Sequence, residues 1–133
     1  MAAPDPETDE AIRNALRRGH TIDITTIGRH SGEPRKIEMM FHSFDGHVYI
    51  SGMPSANRTR AWLHNLRSTP AFTFHLKQTV HADLRATARE ITEPVERRAV
   101  IERVARVWRQ DAKVMYQHSP LVEVTIEGYA PAA

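Results

Sequence analysis

Gly28-Arg29-His30-Ser31-Gly32-Glu33-Pro34-Arg35 brings together, in one short stretch, groups that can bind an anion. Two glycines let the backbone turn sharply and present N–H groups. Ser31 offers a small hydroxyl, and Arg29 and Arg35 carry guanidiniums that can grip a phosphate or carboxylate bidentately. The glycine spacing fits neither the P-loop nor the GxGxxG dinucleotide pattern. The same string also reads as an exposed strand connection in which Gly and Pro serve turn geometry alone. On the loop alone both readings stay open.

Charge is unevenly spread. The 37 residues from Gly46 to Ala82 hold no Asp or Glu but four bases, Arg58, Arg60, Arg67 and Lys77, with His47, His64, His75 and His81 among them. The first ten residues, in contrast, hold four acids and no base. If the loop folds against the basic stretch, Arg29, Arg35 and Lys36 join one face that would concentrate an anionic ligand. A solvated basic face is the plain alternative. Trp62 and Leu66 stand one helical turn apart, the spacing of a core anchor, and Asn65 is left at the helix edge to reach a polar site.

Eight histidines are many for this length, but their spacings match no metal pattern; His42 and His47 are five apart, His75 and His81 six. His42 and His75 alternate with apolar neighbours, so they are expected on the barrel surface or lining a pocket. No GxSxG elbow occurs. The absence of Cys excludes disulfides, thiolate metal sites and cysteine nucleophiles.

The elements that must position these groups follow from periodicity. Thr8 is expected to cap a helix over 8–18, with Ile12 and Leu16 as an apolar pair. Strands are expected at 21–27, at 36–44 and 47–52 around the Asp45-Gly46 turn, at 71–77, at 82–91 and at 121–127. A helix over 59–67 is stopped by Pro70. A third starts near Pro94 and keeps Val100, Val104 and Trp108 in phase, and a further helical piece reaches Gln117. About six mostly antiparallel strands and about three helices describe an α+β domain with a split or closed β-barrel.

With 133 residues the chain has room for one core, and a single domain over 1–133 is expected, an acidic segment and helix over 1–20 preceding a barrel over 21–128. A formal charge of +2 is far from that of a polybasic nucleic-acid binder. No apolar run is long enough for a membrane span. The acidic, Pro-containing N-terminus is the reverse of a secretory signal, so a cytoplasmic protein is expected.

The string TTIGRHSGEPRKIEMMF, followed by RAWLHNLRSTPAFTFHLK, resembles the deazaflavin-dependent nitroreductase and quinone-reductase family, split barrels related to FMN-binding pyridoxamine-phosphate-oxidase-like proteins. The likeness is best over 21–91. It implies coenzyme F420, an 8-hydroxy-5-deazaflavin with a ribityl phosphate and an oligoglutamate tail, in preference to FMN. On that likeness Arg29, Ser31, Gly32 and Arg35 would hold the phosphate and the start of the tail, with Trp62 and Asn65 beside the cofactor. His30 stands where the family commonly has Lys or Arg, and the basic groups of the next loop are displaced to Arg58 and Arg60.

The expected chemistry is hydride transfer from reduced deazaflavin to a quinone, enone or nitroaromatic acceptor, with Tyr116, His75 and His118 as candidate proton donors. A non-catalytic binder of F420 or another anionic or hydrophobic ligand, and an FMN- or haem-binding barrel, are the alternatives. Split barrels commonly dimerise, and the exposed side of 71–77 and 82–91 is the candidate face for a homodimer.

Overall fold

The computed structural model describes residues 5–57 and 60–129. The chain runs α1 (Pro6–Leu16), β1 (Thr21–Ile27), β2 (Pro34–Phe44), β3 (His47–Ser51), α2 (Ala61–Ser68), β4 (Ala71–Lys77), β5 (His81–Glu90), α3 (Pro94–Trp108), α4 (Ala112–His118) and β6 (Leu121–Ile126). The six strands close a barrel in the order β1-β2-β3-β6-β5-β4, each neighbour antiparallel. No described helix is long and apolar enough to cross a membrane.

Alternation dictates which side chains fill the barrel. Ile22, Ile24, Phe72, Phe74, Leu76, Val122, Val124 and Ile126 point into one core with Trp62, Leu63 and Leu66 of α2. The β2–β3 connection is a two-residue turn in which both Asp45 and Gly46 have positive φ, 54° and 83°, as a type I′ hairpin requires. A second core lies outside the barrel, where α3 and α4 cover Tyr49, Ile91 and Leu121.

Three local expectations change. Asp5, not Thr8, caps α1; its carboxylate accepts from the Thr8 N–H at 2.8 Å, and Pro6 occupies the first turn. Among the described residues four helices form rather than about three. Arg109 adopts a left-handed conformation (φ 55°) that ends α3, and the Asp111 carboxylate accepts from the N–H groups of Lys113 and Val114 to start α4. His42 is neither surface nor pocket. It is 3% exposed, its ring edge-on to Trp108 at 4.9 Å, because the outer face of β2 here lies under α3.

Candidate functional site

The Gly28–Arg35 stretch closes on itself. The Gly28 N–H donates to the Glu33 carbonyl and the Gly32 N–H to the Gly28 carbonyl, both at 2.8 Å. Backbone conformation favours glycine at one place, and close packing favours it at a second. Gly32 has a φ of 72°, and a Cβ on Gly28 would lie 2.6 Å from Ser31 Oγ. Ser31 Oγ accepts from the Glu33 N–H (3.2 Å) and from Arg35 Nη2 (3.4 Å), so its own proton is left to donate. Arg29 Nε donates to His30 Nε2 at 3.0 Å. Arg29, His30, Ser31, Gly32 and Arg35 therefore sit together and exposed. Glu33 is the one acid of the loop, 4.0 Å from Arg35.

Asn65 fastens this loop to α2. It is 5% exposed; its Oδ1 accepts the Arg29 N–H and its Nδ2 donates to Thr26 Oγ1, each at 3.0 Å. Thr26 is wholly buried, on the inward face of β1, so the bond reaches from the barrel interior to the loop. Trp62, one turn earlier on α2, is 7% exposed in the barrel core and sets where the helix rests.

On the other flank of α2 lies a cleft of about 460 Å³, within the range of small-ligand sites. Its walls include Arg60, Leu63, His64 and Arg67 from α2 and its cap, Glu90 and Ile91 at the end of β5, Arg97 of α3, and Tyr116, His118 and Ser119 around the end of α4. Burial first, then the charges of Arg29 and Arg67, lower the His64 pKa. Arg67 grips Glu90 with two bonds of 2.8 and 2.7 Å, and that pairing lowers the Glu90 pKa. The Arg60 guanidinium lies against Gly52, where it donates to the Met53 carbonyl, and a Cβ on Gly52 would push it aside.

Of the candidate proton donors, Tyr116 and His118 line the cleft and His75 does not. His75 is on the outer face of the barrel, its Nδ1 donating to Asp83 at 2.6 Å and its Nε2 lying 2.7 Å from Thr25 Oγ1. Lys36 also leaves the basic face. The β1–β2 register turns it outward, 3.7 Å from Asp23. Arg58 lies outside the described residues. Sequence reasoning did not single out Glu90, Arg97 or Ser119. A signal existed for Arg97, three and four residues before Val100 and Ile101 and so on the buried stripe of α3, where a charge needs a reason.

The model of the F420H2-dependent quinone reductase family matches residues 7–127. The chain belongs to that family. Membership makes it an F420-dependent reductase, with F420 as its cofactor. No curated protein matches the sequence. Among solved structures, an F420H2-dependent reductase is 18% identical, the match covering 78% of this chain and 92% of that one with a TM-score of 0.60. An F420 reductase is 14% identical over 90% and 96%, with a TM-score of 0.64. A protein of Listeria innocua assigned as a pyridoxamine 5′-phosphate oxidase is 14% identical over 91% and 94%, with a TM-score of 0.58. These three likenesses show the fold. The loop donors suit the family's cofactor, because a guanidinium pair, a free hydroxyl proton and a glycine cradle are what a phosphate needs.

Proposed function

We propose that the chain reduces a quinone, enone or nitroaromatic acceptor in the cleft beside α2. In this reading the phosphate of F420 and the start of its acidic tail are held by Arg29, Ser31, Gly32 and Arg35, with His30, Arg58 and Arg60 adding to the basic surround. The observation that carries it is the Asn65 bond to the Arg29 N–H, which joins anion-binding loop and cleft through a single helix. When bound, reduced F420 supplies a hydride from C5 of its ring.

The protein's own residues bind, orient and exclude water. Trp62 and Leu63 fix α2 against the core, so the loop donors and the cleft wall keep a constant separation. Leu63, Ile91 and Pro120 give the cleft its apolar surface. Tyr116 and His118, both in the cleft wall, would hold the proton that the reduced acceptor needs. No side-chain nucleophile is called for.

The test is turnover. Purified protein with reduced F420 and menadione should oxidise the cofactor in a protein-dependent way, and a nitroaromatic or enone can be assayed identically. Cofactor binding without turnover on any of the three acceptor classes would make the chain a carrier instead.

A further inference from the structure

The cleft is strongly one-sided in charge. Arg60, Arg67 and Arg97 line it, with His64 and His118, against the single carboxylate of Glu90. Glu90 is already committed to Arg67. Arg97 is half-buried and has no carboxylate within salt-bridge distance among the described residues. Its guanidinium instead donates to backbone carbonyls, of Tyr116 (3.1 and 2.7 Å), Ser119 (2.6 Å) and Ile91 (3.4 Å). Those bonds use four of the five guanidinium N–H groups and leave one on Nη1. They also hold the group rigid, its charge met by those carbonyl dipoles, by the Tyr116 ring and by the field of Glu90 from beyond salt-bridge distance. The face of Tyr116 packs 5.3 Å from it.

A second observation lies on the same wall. The Ser119 side chain is 5% exposed, and its hydroxyl has no hydrogen-bond partner among the described residues. Buried polar groups are normally satisfied, so an orphan hydroxyl next to a guanidinium that no carboxylate touches leaves this wall with more donors than acceptors. A neutral, apolar acceptor would satisfy neither group and would itself be set among cations.

We propose that this cleft selects an anionic electron acceptor, carrying a carboxylate or phosphate next to its reducible quinone or enone group, and that Arg97 and Arg67 recognise the anion. The proposal rests on the cleft being where acceptor and cofactor meet. Glu90 then sets specificity in the opposite sense, holding Arg67 back until an anion competes for it.

The experiment compares menadione with the same naphthoquinone bearing a short carboxylate side chain, as kcat/KM with reduced F420, in the wild type and in Glu90→Gln. The carboxylated acceptor is expected to be preferred by about tenfold or more at low salt, with the preference shrinking as salt rises. In Glu90→Gln the ratio of the two should rise several-fold further. Equal use of the two acceptors, or a preference for menadione, overturns the proposal and leaves the reductase reading intact. An unchanged ratio in Glu90→Gln, with tighter binding of F420 but not of the tail-less deazaflavin riboside, assigns the cleft to the cofactor's tail and also overturns it. Failure to turn over either quinone overturns the proposal, and the reductase reading falls with it only if an enone and a nitroaromatic are not reduced either.

Discussion

Asn65 is the residue on which loop and barrel depend together. One side-chain amide satisfies a loop N–H and a buried threonine hydroxyl at the same time. Replacing it with Ala leaves both without their partner, and a buried polar group left unpaired costs about 1–3 kcal/mol. Asn65→Ala should therefore lower the urea midpoint by an amount in that range, and should weaken F420 binding as well, because Arg29 loses its backbone anchor. Stability lost with F420 affinity unchanged would show that the loop is not part of the cofactor site. The motif was legible as a loop with donors, and Asn65 as a polar residue at the edge of an apolar helix. Its partners were not, since Thr26 and Arg29 lie 39 and 36 residues away in sequence.

Elements were legible where one period dominates. The strands over Thr21–Ile27 and Ala71–Lys77 have the bounds that alternation predicts, because each has one face wholly inside the barrel. Helix starts were less so. Thr8 and Asp5 belong to one capping arrangement, and only the structure shows that the carboxylate is the one accepting the backbone N–H. The break between α3 and α4 turns on a left-handed Arg109, a conformation with no sequence signal of its own. Its consequence is functional, since α4 carries Tyr116 and His118 to the cleft on a cap made by Asp111. Asp111→Ala should cost about 1 kcal/mol of stability. It should also reduce kcat/KM for the acceptor more than it reduces F420 affinity, as read from turnover and fluorescence titration. Equal losses in both would mean that α4 does not wall the acceptor's side.

Across the whole molecule, a formal charge of +2 conceals a separation that folding preserves and refines. Lys36 and Lys77 are drawn off to Asp23 on the outer face, whereas Arg60, Arg67 and Arg97 converge on the cleft. Packing of α3 over β2 has a cost that pH should reveal. Burial lowers the His42 pKa from 6.5 to about 4. Below pH 6.5 the unfolded chain takes up a proton that the folded one refuses, so this contribution is fully present above 6.5 and is lost as pH falls toward about 4. The loss is about 3 kcal/mol. Urea midpoints of wild type and His42→Phe, compared at pH 7 and pH 4.5, should show the steeper fall in the wild type; parallel falls would place the acid sensitivity elsewhere. In the proposed reading, a basic loop tied through α2 to the cleft holds F420 by its phosphate and acidic tail. Titrating oxidised F420 into the wild type and into Arg29→Ala/Arg35→Ala at two salt concentrations, by cofactor fluorescence, tests it most directly. Wild-type binding should weaken with salt, and the double variant should bind more weakly with a flatter salt dependence. Unchanged affinity in the double variant, or binding of FMN in place of F420, would contradict it.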